Sequence, residues 1–262
     1  MEKINNREIE GAGSMSKTKV LVIGAGSMGR LIHEIAQGDE ERFVSLGTVE
    51  PLNGETIQSV CWHKCDNPDV IIDFSNPANL DMICEYAKNE SCAVVIATTG
   101  YSPEQEEQIK ELAQQVPVIK SANFSLGIAV MKHMLEDIAP VLKDAFDIEV
   151  LEKHHNKKID APSGTAKMLI DILDSTGGYK KQYGRVGIGL RGKDIGVHAI
   201  RGGTIVGEHT VMFAGEDEVL EIKHTASSKR IFAVGALEAA KFICEKNRSG
   251  AVGIYSVEEV LF

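Results

Sequence analysis

Lys19-Val-Leu-Val-Ile23 is a short β-branched run that ends at Gly24-Ala-Gly26-Ser-Met-Gly29 and passes into a helical pattern from Met28 to Gln37. A strand, a glycine loop and a helix in that order constrain the chain more than any other stretch. They describe the first βα turn of a doubly wound sheet. In G-x-G-x-x-G the first glycine permits the tight turn, the second lets backbone approach a pyrophosphate, and the third lets helix pack on strand. The helix N-terminus adds unpaired N–H groups and partial positive charge for phosphates. Gly24, Ala25, Gly26, Ser27, Met28 and Gly29 therefore form the candidate cofactor loop. An earlier GAGSM, at 11–15, follows polar NNREIE rather than a strand. It reads as part of a flexible leader over 1–18, with Met15 an alternative start.

Strands and helices then alternate. Strand two is expected over Phe43–Val49, strand three over Asp69–Phe74, strand four over Cys92–Ala97 and strand five over Val116–Ser121. The continuous apolar centre of strand three suits burial on both faces. Pro77 opens one helix, and Ser102-Pro-Glu-Gln105 opens another with a capping-box pattern. This rhythm predicts a Rossmann-type doubly wound parallel sheet. It breaks near residue 122. A helix follows with Met131, Met134, Leu135, Ile138 and Leu142 expected on one packed face. Next come a strand over Phe146–Leu151, a basic segment, a helix from about Ser163, and strands near 196–200, 205–213 and 218–225. Strands in succession without helices between them predict a second mixed α/β domain with a mostly antiparallel or mixed sheet. Lys229–Glu245 is helical and apolar nearly all round, so it must be buried. Placed against the first unit, it gives a dinucleotide-binding domain over 19–122 and 230–262, with a substrate-binding and oligomerisation domain over 123–229 inserted.

Glu50 stands at the end of strand two, 21 residues after Gly29. A carboxylate there accepts hydrogen bonds from the ribose hydroxyls of NAD and repels the 2′-phosphate of NADP, favouring NADH; Arg30 and Lys64 nearby leave use of NADPH open. Ala97-Thr98-Thr99 and Ser121-Ala122-Asn123-Phe124 lie at the carboxyl ends of strands four and five, where open sheets bind ligands. They are candidates for the nicotinamide end.

Glu152-Lys-His-His-Asn-Lys-Lys-Ile-Asp-Ala-Pro-Ser-Gly-Thr165 gathers positive charge in a chain of net charge −10. Adjacent histidines in extended chain point to opposite faces, so His154 and His155 do different work and do not share a metal. Histidine gives up a proton near neutral pH, and Lys158 supplies positive charge or a proton. Ser163, Gly164 and Thr165 at a helix start offer an anion site. Together they describe a pocket for a small compound with negative groups and a centre that must be protonated. The overall acidity argues against a nucleic-acid or anionic-membrane partner. No apolar run approaches the ~18–20 residues that span a bilayer, and no secretory signal opens the chain. Five scattered cysteines suit free thiols in a reducing cytoplasm; CWHKC, 61–65, lacks a second ligand pair for zinc, and no metal is expected.

The pattern E-x-H-H-x-x-K-x-D-A-P-S-G-T-A resembles the signature of the bacterial dihydrodipicolinate reductase (4-hydroxy-tetrahydrodipicolinate reductase) family. The resemblance extends from Lys19 through ATTG, SANFS and residues 202–228 to the final helix. It implies an NAD(P)H-dependent reduction in lysine and diaminopimelate biosynthesis, with hydride to C4 of a cyclic unsaturated imine, in a cytoplasmic homotetramer. By the same resemblance His154 and Lys158 match the proton-donating pair, His155 a substrate contact, and Gly164 with Thr165 the cradle of one carboxylate of a small dicarboxylate substrate. Arg201 is expected to join Lys158 on the second carboxylate. Two positions depart from the pattern. Ser27 and Asn76 stand where many relatives carry arginines, which weakens the case for NADP. His198, His209 and His224, in expected strands, read as structural or interfacial. The competing readings are another two-domain NAD(P)-dependent amino-acid or sugar dehydrogenase, and a non-catalytic dinucleotide-sensing protein; neither explains HH followed by DAPSGT.

Overall fold

The computed structural model describes residues 17–64 and 66–262. The leader expected up to residue 18 lies outside the described residues except for Lys17 and Thr18, as does Cys65 of CWHKC. Strand β1 (Thr18–Ile23) runs into helix α1 (Ser27–Gly38), then β2 (Phe43–Val49), α2 (Ile57–Lys64), β3 (Val70–Asp73), α3 (Leu80–Glu90), β4 (Ala93–Ile96), α4 (Pro103–Leu112) and β5 (Pro117–Lys120). The second part holds α5 (Leu126–Leu142), β6 (Asp147–His154), α6 (Gly164–Leu173), β7 (Lys180–Tyr183), β8 (Asp194–Arg201), β9 (Gly207–Ala214) and β10 (Val219–Ala226). Helix α7 (Arg230–Arg248) and strand β11 (Gly253–Tyr255) close the chain.

One sheet has six parallel strands in the order β11-β5-β4-β3-β1-β2. Successive residues of β1 take opposite faces, as the strand period requires. Val20 and Val22 enter a core with Ile32, Ala236 and Leu237 on the α1/α7 side, while Leu21 and Ile23 enter a core with Ile83, Ile109 and Leu112 on the α3/α4 side. Both faces are covered, which is why these strands are apolar throughout. The capping box at Ser102 forms: its hydroxyl accepts from the Gln105 N–H, and the Gln105 amide oxygen accepts from the Ser102 N–H. Helix α7 packs on this sheet, and β11 pairs with β5.

The other sheet is mixed, in the order β10-β9-β6-β8-β7, with β6 parallel to β8 and antiparallel to β9. Helices α5 and α6 cover one face through Met131, Leu135, Leu169 and Leu173, packed against Ile148, Val150, Val211 and Phe213. Met134 departs from the expectation. The inward stripe of α5 is Ile128, Met131, Leu135 and Ala139, and Met134 falls off it, 43% exposed. Helix α2 and strands β7 and β11 were not expected from the sequence.

Strand β6 runs three residues beyond the expected end at Leu151, and this places the site. Its inward residues are Ile148, Val150, Glu152 and His154, apolar at one end and polar at the other. In register with them stand Ala199 and Arg201 of β8, and His209 of β9 lies opposite Glu152. One face at one end of the mixed sheet therefore carries Glu152, His154, Arg201 and His209.

Candidate active site

At the glycine loop the three positions have separate geometries. A Cβ at Gly29 would lie 1.8 Å from the Gly24 carbonyl oxygen, so α1 is seated directly on the turn. A Cβ at Gly24 would meet the Phe74 carbonyl at 2.7 Å, and Gly24 has φ +98°. Gly26 is exposed and has nothing within 4 Å of an added Cβ. The first and third glycines thus serve the fold, and the second leaves an open surface at a helix start. A pyrophosphate fits there. Glu50 follows β2 beside the turn, since Gly24 N–H donates to the Val49 carbonyl. Among the described residues, the Glu50 carboxylate accepts a single long bond, 3.4 Å from Leu52 N–H.

The turns after β3 and β4 are knitted together beneath that surface. Ser75 N–H donates to Thr98 Oγ1 at 2.9 Å, and buried Asp73 accepts from Ser75 Oγ at 2.5 Å and from Tyr101 Oη at 3.0 Å. Burial raises the Asp73 carboxyl, and the bonds from Ser75, Thr98 and Tyr101 offset only part of that. Thr98 is buried with its hydroxyl engaged, whereas Thr99 is exposed. The Phe124 ring is 1% exposed, 6.1 Å from the Phe74 ring, which leaves its main chain to face a cofactor. Gly235 of α7 sits against it, where a Cβ would be 1.7 Å from the Phe124 carbonyl. Sequence reasoning missed Gly235, although a glycine in the middle of a buried helix costs about 1 kcal/mol and so signals close packing.

From Asn123 a bond crosses to the basic segment. Its Nδ2 donates to Thr165 Oγ1 at 2.9 Å, and its Oδ1 accepts from Ser125 N–H at 2.8 Å. Ser125 Oγ in turn lies 3.3 Å from His224 Nε2. The expected nicotinamide segment and the expected carboxylate cradle are thus directly hydrogen-bonded.

Within the basic segment His154 is buried and His155 half-buried. His154 Nδ1 lies 2.6 Å from Glu152 Oε2. Arg201 meets both Glu152 oxygens, at 2.7 and 2.6 Å, and gives its remaining terminal N–H groups to the Ile200 and Asp160 carbonyls. Its terminal N–H groups are therefore committed and its Nε is buried, without a partner among the described residues, so this arrangement does not favour the expectation that it receives a substrate carboxylate. Ser163 is corrected too. It is 2% exposed, its hydroxyl caps Ala166 N–H and touches His209 Nε2 at 3.1 Å, and its N–H goes to Glu152 Oε1. Exposed Gly164 and half-buried Thr165 remain for an anion. Lys158 Nζ pairs with Asp160 at 2.7 Å in the loop after β6. His209, expected to be structural, stands with its ring 5.2 Å from that of His154. Burial, and then the neighbouring His154, lower its pKa to about 4, so it is neutral at physiological pH. His198 is held by Glu149 at 2.8 Å, away from this cluster.

The family model described as dihydrodipicolinate reductase, N-terminus, matches residues 18–124, and that described as dihydrodipicolinate reductase, C-terminus, matches 127–261. The chain belongs to the dihydrodipicolinate reductase family. A 4-hydroxy-tetrahydrodipicolinate reductase of Clostridium novyi is 42% identical over 252 residues, covering 93% of this chain and 98% of the relative. One from an Exiguobacterium species is 42% identical, covering 92% and 94%. Among solved structures, the dipicolinate-bound dihydrodipicolinate reductase of Paenisporosarcina sp. TG-14 shares the fold at TM-score 0.74 and 21% identity, over 94% of this chain and all of that one. The DAP dehydrogenase of C. glutamicum shares it more loosely, at TM-score 0.56 and 13% identity. The fold is thus wider than the family.

Proposed function

We infer that the chain reduces 4-hydroxy-tetrahydrodipicolinate to tetrahydrodipicolinate with NADH or NADPH, in lysine and diaminopimelate biosynthesis. The observation that carries this is the Asn123–Thr165 bond, which joins a cofactor-facing turn to the start of the proton-donor and anion segment. Residues 24–29 hold the pyrophosphate on the α1 N-terminus, Glu50 the adenosine ribose, and the turns after β4 and β5 the nicotinamide end. When bound, the reduced nicotinamide would supply the hydride to C4 of the conjugated ring left once the 4-hydroxy substrate has lost water, so that hydride and one proton enter, water leaves and the nicotinamide is oxidised. The N-terminus of α6, with Gly164 and Thr165, binds one carboxylate of the substrate. His155 and Lys158 supply further contact and positive charge, drawing electron density toward the ring carbon–nitrogen bond. His154 and Lys158 are the groups able to deliver the proton that quenches the added charge. Bringing both halves of the reaction onto one bonded frame lowers the entropic part of the barrier.

NADH is the favoured cofactor. Glu50 opposes a 2′-phosphate, and Asn76, in place of an arginine, spends its side-chain oxygen capping Ala78 N–H. A cytoplasmic homotetramer is the expected assembly. Val186, Ile188 and Leu190 are fully exposed on the loop between β7 and β8, and Val219 and Leu220 on β10 are 60% and 44% exposed, apolar surface that assembly of subunits would bury. No helix among the described residues is long and apolar enough to cross a membrane. The test is a paired titration with enzymatically generated substrate. Absorbance of NADH should fall faster than that of NADPH at equal concentration, and neither should fall without substrate. Absence of turnover with both cofactors would refute the reading.

A further inference from the structure

Glu152 begins the diagnostic motif, yet the reaction as derived gives it no task. Its side chain is completely buried, and both oxygens are in use. Oε1 accepts from Arg201 and from Ser163 N–H, the latter at 3.0 Å; Oε2 accepts from Arg201 and faces His154 Nδ1. Burial alone would raise this carboxyl, but the bonds from Arg201, His154 and Ser163 outweigh it and hold the group below the usual carboxylate range. The carboxylate is therefore ionised and can only accept. A 2.6 Å contact to an acceptor fixes the proton of neutral His154 on Nδ1. Nε2 is then the nitrogen left for a second proton. It has no hydrogen-bond partner among the described residues, and it faces Gly207, where a Cβ would stand 3.1 Å away. Glycine at the first position of β9 keeps that nitrogen uncovered.

The surroundings of His154 and His209 differ element by element. On β6 stands ionised Glu152, on β8 Arg201 neutralises half of the local acid, and on β9 His209 stays neutral. The loop after β6 contributes the paired Lys158 and Asp160, and the start of α6 contributes only the Ser163 hydroxyl and N–H. The two imidazole rings stand 5.2 Å apart, and the Glu152 carboxylate bonds to that of His154.

We propose that Glu152, clamped by Arg201, is a positioning residue that sets the tautomer and orientation of His154 and ties it through Ser163 N–H to the carboxylate cradle. One polar node then fixes the proton donor relative to the substrate anion, and Arg201 acts through Glu152 rather than on substrate. This rests on the reading of His154 as a proton donor.

Two measurements decide it. In the wild-type full chain, nitrogen-15 NMR of the imidazoles should find neutral His154 protonated at Nδ1; protonation at Nε2 overturns the proposal whatever the enzyme's activity. In steady-state kinetics, Glu152→Gln keeps the shape and removes the charge. It should lower kcat by about 10-fold or more, between the loss seen for partners of metal-bound histidines and the ~10⁴-fold loss at a serine-protease triad, with the Kd of NADH unchanged. The alkaline limb of kcat/KM should move toward lower pH, because the group that delivers the proton loses a neighbouring negative charge. A purely structural role would not move that limb. Arg201→Lys should shift it the same way by less, and it serves if Glu152→Gln does not fold. Wild-type kcat with an unmoved limb in these variants refutes the proposal alone; a wild-type chain inert with substrate and both dinucleotides refutes the reductase reading, while the NMR result still judges Glu152.

Discussion

His209→Gln should flatten the acid side of the stability profile. In the folded chain the pKa of His209 is lowered from 6.5 to about 4, first by burial and then by the neighbouring His154. Below pH 6.5 the unfolded chain therefore binds a proton that the folded chain refuses, so unfolding takes up a proton and stability falls as pH falls. The loss begins near 6.5 and is complete near 4. Two and a half pH units at about 1.4 kcal/mol each give about 3 kcal/mol. The ring is 5% exposed, so solvent screens little of this. Glutamine retains a partner for Ser163 Oγ but has no proton to take up. The assay is urea denaturation followed by circular dichroism at fixed protein concentration, at pH values from 8 to 4.5. Wild type and variant should run parallel above pH 7 and diverge below 6.5, with wild type losing about 1 kcal/mol more per unit. Glu152, whose pKa is depressed, contributes stability that is lost only at lower pH as the carboxyl protonates, and it does so in both proteins, so it cancels in the difference. Equal slopes from pH 6.5 to 4.5 would refute a neutral buried His209.

Four other substitutions separate fold from binding. Gly26→Ala should leave the Tm unchanged while weakening NADH binding, since only a ligand approaches that position; Gly29→Ala, pressed onto the Gly24 carbonyl, should lower both, as melting curves and cofactor titration would show. Gly235→Ala should cost about 1–3 kcal/mol in urea denaturation, because the added methyl forces α7 away from Phe124. Glu50→Ala should raise the NADPH-to-NADH ratio of kcat/KM by about tenfold, a change of about 1.4 kcal/mol.

Much of the first sheet was legible because its strands are buried on both faces and so are written as uninterrupted apolar runs; Phe43–Val49 coincides with the observed strand. The capping box at Ser102 was equally readable, being a local hydrogen-bond pattern. Elements that owe their form to neighbours were not. Lys180–Tyr183 is polar throughout and becomes β7 by pairing with β8, and Gly253–Tyr255 becomes β11 on the edge of β5. Helix α2 has Ile57, Val60 and Cys61 without a sustained apolar stripe. At the site the residue types were visible, but their partners were not. Ending β6 at Leu151 hid the alternation Ile148, Val150, Glu152, His154 that sets Glu152 beside His154. Arg201 was read as a substrate group because its charge suits a carboxylate; the carboxylate it meets belongs to the protein, two residues before His154. The Asn123–Thr165 bond joins positions 42 apart, beyond any local pattern.

The central claim is that the cluster after β6 protonates what the dinucleotide reduces. Its most direct test compares wild type with His154→Ala, Lys158→Ala and the double variant, measuring both kcat and the Kd of NADH by fluorescence. The account predicts that each single change lowers kcat about 100-fold or more, that the double variant loses little beyond the worse single one, and that NADH binds all four equally. Near-wild-type kcat in the double variant would contradict it.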